Sequence, residues 1–171
     1  QQMSDAMTGL NRLDGGLIDR SAELNFRFDG KSLEGYGGDT LASALLANGV
    51  RLMGRSFKYH RPRGVLSAGA EEPNAIVALR EGAFTEPNTR ATTAELFDGL
   101  VARSQNRWPS LAFDAMAVND IMSDFLTAVF YYKTFMWPAK FWEKIYEPII
   151  RHAAGLGALS GMSDPDCYDK G

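Results

Sequence analysis

Cysteine is almost missing: Cys167 stands alone in a chain of 171 residues. One thiol forms no internal disulfide, supplies no cysteine-rich zinc set and cannot hold an iron-sulfur cluster by itself. Histidine is nearly as scarce, with His60 and His152 only. No Ser-His-Asp or Cys-His set can be argued from these, and Cys167 lies in a polar tail with nothing nearby to activate it. Long apolar runs are also lacking, and none approaches the roughly 20 residues of a membrane helix. No charged and then apolar leader opens the chain, so the expectation is a cytoplasmic protein with no membrane partner.

Acidic residues are missing from one place. Between Arg51 and Arg63 there are five cations and no acid, in a chain of formal net charge -3. The remainder carries 13 cations against 21 acids, so the positive charge is local. Arg55-Ser56-Phe57-Lys58-Tyr59-His60-Arg61-Pro62-Arg63-Gly64 sets those cations beside aromatics and a Pro-Arg-Gly turn. Fixed donors on a rigid loop suit a phosphate or carboxylate. A solvated basic loop is the competing reading. Five clustered cations on an acidic body are too few to track a duplex, so nucleic acid is not an expected partner. His60 sits among the cations of this stretch, whereas His152 falls on the last turn of an expected helix and needs no catalytic role.

Order along the chain points to an α+β fold. Residues 1–20 are polar and glycine-rich and read as a flexible lead-in that orders only if docked. Leu24, Phe26 and Phe28 alternate with polar neighbours, Asp29-Gly30 signals a type I′ turn, and 31–36 return as a second strand. Asp39 or Thr40 caps a helix carrying Leu41, Ala42, Leu45 and Leu46, and Gly49 stops it. Further strands are expected at 50–53, at 75–80 with a short return near 83–85, and at 90–96. A hairpin, a crossing helix and strands packed on it describe a β-grasp domain over 21–97.

Residues 98–171 differ in character, since eight of the 19 aromatics lie between Phe130 and Tyr146. This extension reads as a partly helical appendage and linker, with Pro138 opening one helix and Pro148 kinking it. Its aromatic stripe is either a subunit or cofactor contact or the plain core of the appendage. Gly35 to Thr40 mimics a dinucleotide fingerprint, but Thr40 replaces the third glycine and Asp39 puts negative charge where a pyrophosphate would sit. It is set aside as a helix cap. The glycines between Gly155 and Gly161 follow a helix and not a strand, so they mark a helix stop.

The blocks GDTLASALLANGVRLMGRSFKYHRPRG (38–64), GAEEPNAIVAL (69–79), EPNTRATTAELFDGL (86–100), QNRWPSLAFD (105–114) and FYYKTFMWP (130–138), in that order, carry a resemblance. The chain resembles the N-terminal region of alpha subunits of heterotetrameric sarcosine oxidases, over about residues 12–168. The resemblance implies an oxidoreductase that demethylates sarcosine, giving glycine, hydrogen peroxide and a one-carbon unit. It implies beta, gamma and delta partner subunits, with FAD, FMN, NAD and tetrahydrofolate in the parent complex and none expected on this region alone. A dinucleotide-binding domain is expected to follow residue 171. The related ferredoxin-like domains hold a 2Fe-2S cluster on a loop after the Gly-Asp-Thr helix; here 57–70 has no cysteine, so a cluster-less version is expected. On this view Arg55, Lys58, Tyr59, His60, Arg61 and Arg63, with Tyr131, Tyr132 and Lys133 nearby, face a flavin phosphate or lock a subunit interface. A docking scaffold that touches no cofactor, or the equivalent subunit of a related amine oxidase, is the alternative.

Overall fold

The computed structural model describes residues 11–57, 59–117 and 161–163. Strands β1 (Asp19–Phe28) and β2 (Lys31–Gly37) pair antiparallel from Phe28 against Lys31. Asp29 (φ 49°) and Gly30 (φ 82°) both take the left-handed backbone that a type I′ turn demands. Phe26 and Phe28 are buried while Asn25 and Arg27 face out, as the alternation requires. Helix α1 (Leu41–Ala47) follows, with a capping box in which Thr40 and Ser43 bond reciprocally. Gly49 ends it at φ 74°. The expected hairpin, helix, cap and stop are all present.

The strands that follow are placed differently. Gly54–Arg55 (β3) and Pro62–Arg63 (β4) form a short separate hairpin, where a strand over 50–53 was expected. The strand expected at 75–80 is β5 (Ile76–Leu79). Its return is not 83–85, which falls in a 3₁₀ turn, but β6 (Glu86–Arg90). Residues 91–96 are no strand. They run as turn and coil over the start of α1, where the carbonyls of Ala94 and Ala91 accept from Leu41 and Ala42. The last strand is β7 (Val101–Ser104), beyond the boundary drawn at 97.

The five-stranded sheet runs β2-β1-β7-β5-β6 with β1 and β7 parallel at its centre. One helix packed on such a mixed sheet is a β-grasp fold. Phe26, Leu41, Leu45, Met53, Val77 and Leu100 are the largest fully buried apolar side chains of its core, with Phe28, Leu79 and Leu96 packed beside them. Near β2 the helix comes so close that a Cβ on Gly35 would strike the Leu96 side chain and sit 3.2 Å from Ala44 Cβ.

Residues 1–10 of the lead-in lie outside the described residues, and its described part is docked through Arg12. Its guanidinium meets both oxygens of Asp39 at 3.0 and 2.6 Å and lies 5.2 Å over the Tyr36 ring. Asp39 is wholly buried and also accepts from Ser43 Oγ and the Tyr36 N–H. Burial opposes its charge most strongly, but these bonds, led by Arg12, together hold the carboxyl below its ordinary value.

Candidate functional site

The basic stretch folds as the β3–β4 hairpin, closed by Ser56 N–H to the Arg61 carbonyl and tied to the main sheet by Arg55 N–H to the Gln105 carbonyl at 3.2 Å. Within it the cations have different neighbours. Arg55 donates from Nε and Nη2 to the Leu111 carbonyl at 3.0 and 2.8 Å, and from Nη1 to the His60 carbonyl at 2.7 Å. His60, at φ 54°, sets Nδ1 2.9 Å from Asp114 Oδ2, and Arg55 Nε lies 3.5 Å from that same oxygen. Asp114 is buried, so an Arg-His-Asp knot fastens 111–114 to the hairpin. Arg61 stands 5.0 Å over the Tyr59 ring, and Arg63 Nη1 donates to Asn74 Oδ1 at 3.0 Å. Lys58, Tyr131, Tyr132 and Lys133 lie outside the described residues. The sequence reading missed Asp114 and Leu111. Asp114 ends a block singled out for its resemblance, yet nothing local marks it as the partner of residues more than fifty positions earlier.

The loop leaving the hairpin closes on itself. Glu72 is fully buried, and its carboxylate accepts four backbone N–H groups, from Leu66 (2.7 Å), Ser67 (2.6 Å), Asn74 (2.7 Å) and Ala75 (3.0 Å). Burial raises the carboxyl's proton affinity most, but the four amides outweigh it and hold Glu72 below its ordinary value. Thr92 Oγ1 donates to the Gly69 carbonyl and Arg90 Nε to the Glu72 carbonyl, fixing the loop from outside. This donor set does not fit an iron-sulfur cluster. It offers no thiolate, its inward amides already face an internal anion, and no metal-sized group of carboxylates, histidines or cysteines occurs among the described residues.

Between the hairpin and the sheet lies a cleft of about 210 Å³ bordered by Phe57, Arg63, Asn74, Ile76 and Gln105. Gln105 is buried, and neither its Oε1 nor its Nε2 finds a partner among the described residues.

Residues 21–107 match the family described as the 2Fe-2S iron-sulfur cluster binding domain. That stretch contains no cysteine. The chain is 66% identical over 155 residues to sarcosine oxidase subunit alpha of Rhizobium meliloti (strain 1021), covering 91% of this chain and 16% of the relative. It is 43% identical over 105 residues to sarcosine oxidase subunit alpha of Corynebacterium sp. (strain U-96), covering 60% of this chain and 10% of that one. The chain thus spans about a sixth or less of the length of these relatives. L-proline dehydrogenase from P. horikoshii superposes with a TM-score of 0.41 at 27% identity, over 53% of this chain and 17% of that one.

Proposed function

The chain belongs to the 2Fe-2S iron-sulfur cluster binding domain family, and from that premise we propose that it serves as the cluster-less N-terminal region of a sarcosine oxidase alpha subunit. The observation that carries this is the high identity to such subunits, which runs through the whole matched domain and past it. In this reading the parent complex oxidatively demethylates sarcosine to glycine, hydrogen peroxide and a one-carbon unit. The cofactors FAD, FMN, NAD and tetrahydrofolate belong to other parts of that complex, with beta, gamma and delta subunits as partners.

The β3–β4 hairpin is the part of this chain offered to them. A bound flavin would supply the two-electron chemistry; the hairpin's role is to hold an anionic group and a neighbouring surface in place. Arg61 and Arg63 are its cations toward a flavin phosphate, joined by Lys58 and, from the extension, Tyr131, Tyr132 and Lys133. Tyr59 backs Arg61. Arg55 and His60 position the hairpin from behind, since the Arg55 guanidinium donates to two backbone carbonyls and His60 leans on Asp114.

That commitment of Arg55 favours a second reading, in which the hairpin is purely a subunit dock. Arg61→Ala and Arg63→Ala in the complete oxidase separate the two. Flavin loss from an intact assembly supports flavin contact, whereas weakened assembly with normal flavin content supports docking alone. Unchanged flavin content and unchanged assembly would sink both.

A further inference from the structure

We propose that the cleft beside Gln105 is a socket for a carboxylate side chain presented by a partner polypeptide. This rests on the reading of the hairpin as a contact surface and names the chemistry of what it contacts. The starting observation is the Gln105 carboxamide, buried with both polar atoms unpaired among the described residues. A buried amide left unsatisfied is costly, and native proteins keep few without a reason. Its position is fixed, because the Gln105 carbonyl accepts from Arg55 N–H and the neighbouring Asn106 Nδ2 donates to the Arg55 carbonyl at 3.2 Å. The unpaired group is therefore held ready on a rigid strand end.

What surrounds it selects the occupant. Among the described residues no Asp or Glu lines the cleft, while Arg55 and Arg63 do. Arg55 has Asp114 3.5 Å away, so the open field comes from Arg63, which donates to the neutral Asn74 side-chain oxygen and meets no carboxylate among the described residues. Arg63, Asn74 and Gln105 Nε2 together offer N–H donors to an anion. The 210 Å³ volume is below the roughly 300–1,000 Å³ of pockets that take drug-sized ligands, so a whole nucleotide is too large and one side chain is a fitting load. Phe57, about 38% exposed, and Ile76 give the methylene stem of an aspartate or glutamate an apolar wall. A backbone N–H from the same partner segment would meet Gln105 Oε1.

Gln105→Met tests the idea because its two readouts separate. Removing an unpaired buried amide leaves the thermal midpoint of the free subunit unchanged or raises it. Removing a partner's ligand weakens binding of the remaining oxidase subunits, by about tenfold for one hydrogen-bonded contact to a charge. Arg63→Glu should weaken it further and invert the salt dependence, because a repelled carboxylate is helped by screening. Sedimentation of the complete alpha subunit with its partner subunits reads both, with flavin content measured on the same samples. If Gln105→Met lowers the midpoint, Arg63→Glu decides alone. Weakened assembly with flavin retained bears the socket out. Flavin loss with assembly intact overturns the socket while keeping the flavin reading of the hairpin. No change in assembly or flavin, as expected if water fills the cleft, overturns both.

Discussion

Glu72 shows how much one side chain organises. Four amides converge on its carboxylate, so a glutamine there would turn an NH₂ toward some of those N–H groups and lose the charge that attracts them. Glu72→Gln is expected to cost about 3 kcal/mol, read from urea unfolding at neutral pH. The pH dependence has a definite sign. A carboxyl whose folded-state affinity for protons is depressed stabilises the fold above its unfolded value, and that contribution drains away as pH falls through the lower folded value. Stability should therefore decline below the ordinary glutamate value of 4.5, and more steeply below the ordinary aspartate value of 3.8, where the depressed Asp39 adds its own loss. Glu72→Gln should flatten the upper part of that acid limb; an unaltered profile would show that the amide cradle is not the cause. Arg12→Ala leaves Asp39 buried without its cation, a loss of about 3–5 kcal/mol. Asp39→Asn in the same background should recover part of it.

Elements differ in how openly the sequence declares them. The β1–β2 hairpin and α1 rest on local chemistry: a two-residue period, an Asp-Gly turn and a Thr-Ser capping box. Such signals are complete within a few residues and were legible. Residues 91–96 misled because threonine favours strands, yet here Thr93 Oγ1 turns back to the Arg90 carbonyl and its N–H does the same. Strand β6 was hidden by Pro87, which an edge strand tolerates. In the candidate site, the cations were visible as charge. The acid and carbonyl that hold Arg55 and His60 were not, because only the fold brings 111–114 back to the hairpin. Packing of α1 on β2 gives a direct check at this scale. Gly35→Val would drive its side chain into Leu96 and Ala44, destabilising by about 2 kcal/mol through overpacking, measurable by denaturant midpoint.

At the scale of the whole molecule, the center of the sheet joins ends of the domain that are far apart in sequence. Asp98 accepts from Asn25 N–H across 73 residues, and Asp29 accepts from Ser104 N–H and Oγ across 75. Asp29 thus serves both as a turn residue and as the clasp for β7. Asp29→Ala should loosen β7 and raise amide hydrogen exchange at Ala102 and Ser104 before that of α1. Uniform exchange along the sheet would contradict it.

The parallel β1–β7 pairing also sets a clock for birth on the ribosome. The inner edge of β1 is made early but stays without its partner until β7 has been synthesised, an interval of about 4–15 s at roughly 5–20 residues per second. During that wait an apolar strand edge carrying Phe26 and Phe28 is available to any other nascent chain. Slower translation of 30–100 should therefore lower soluble yield more than slower translation after 104, which a synonymous-codon series would measure.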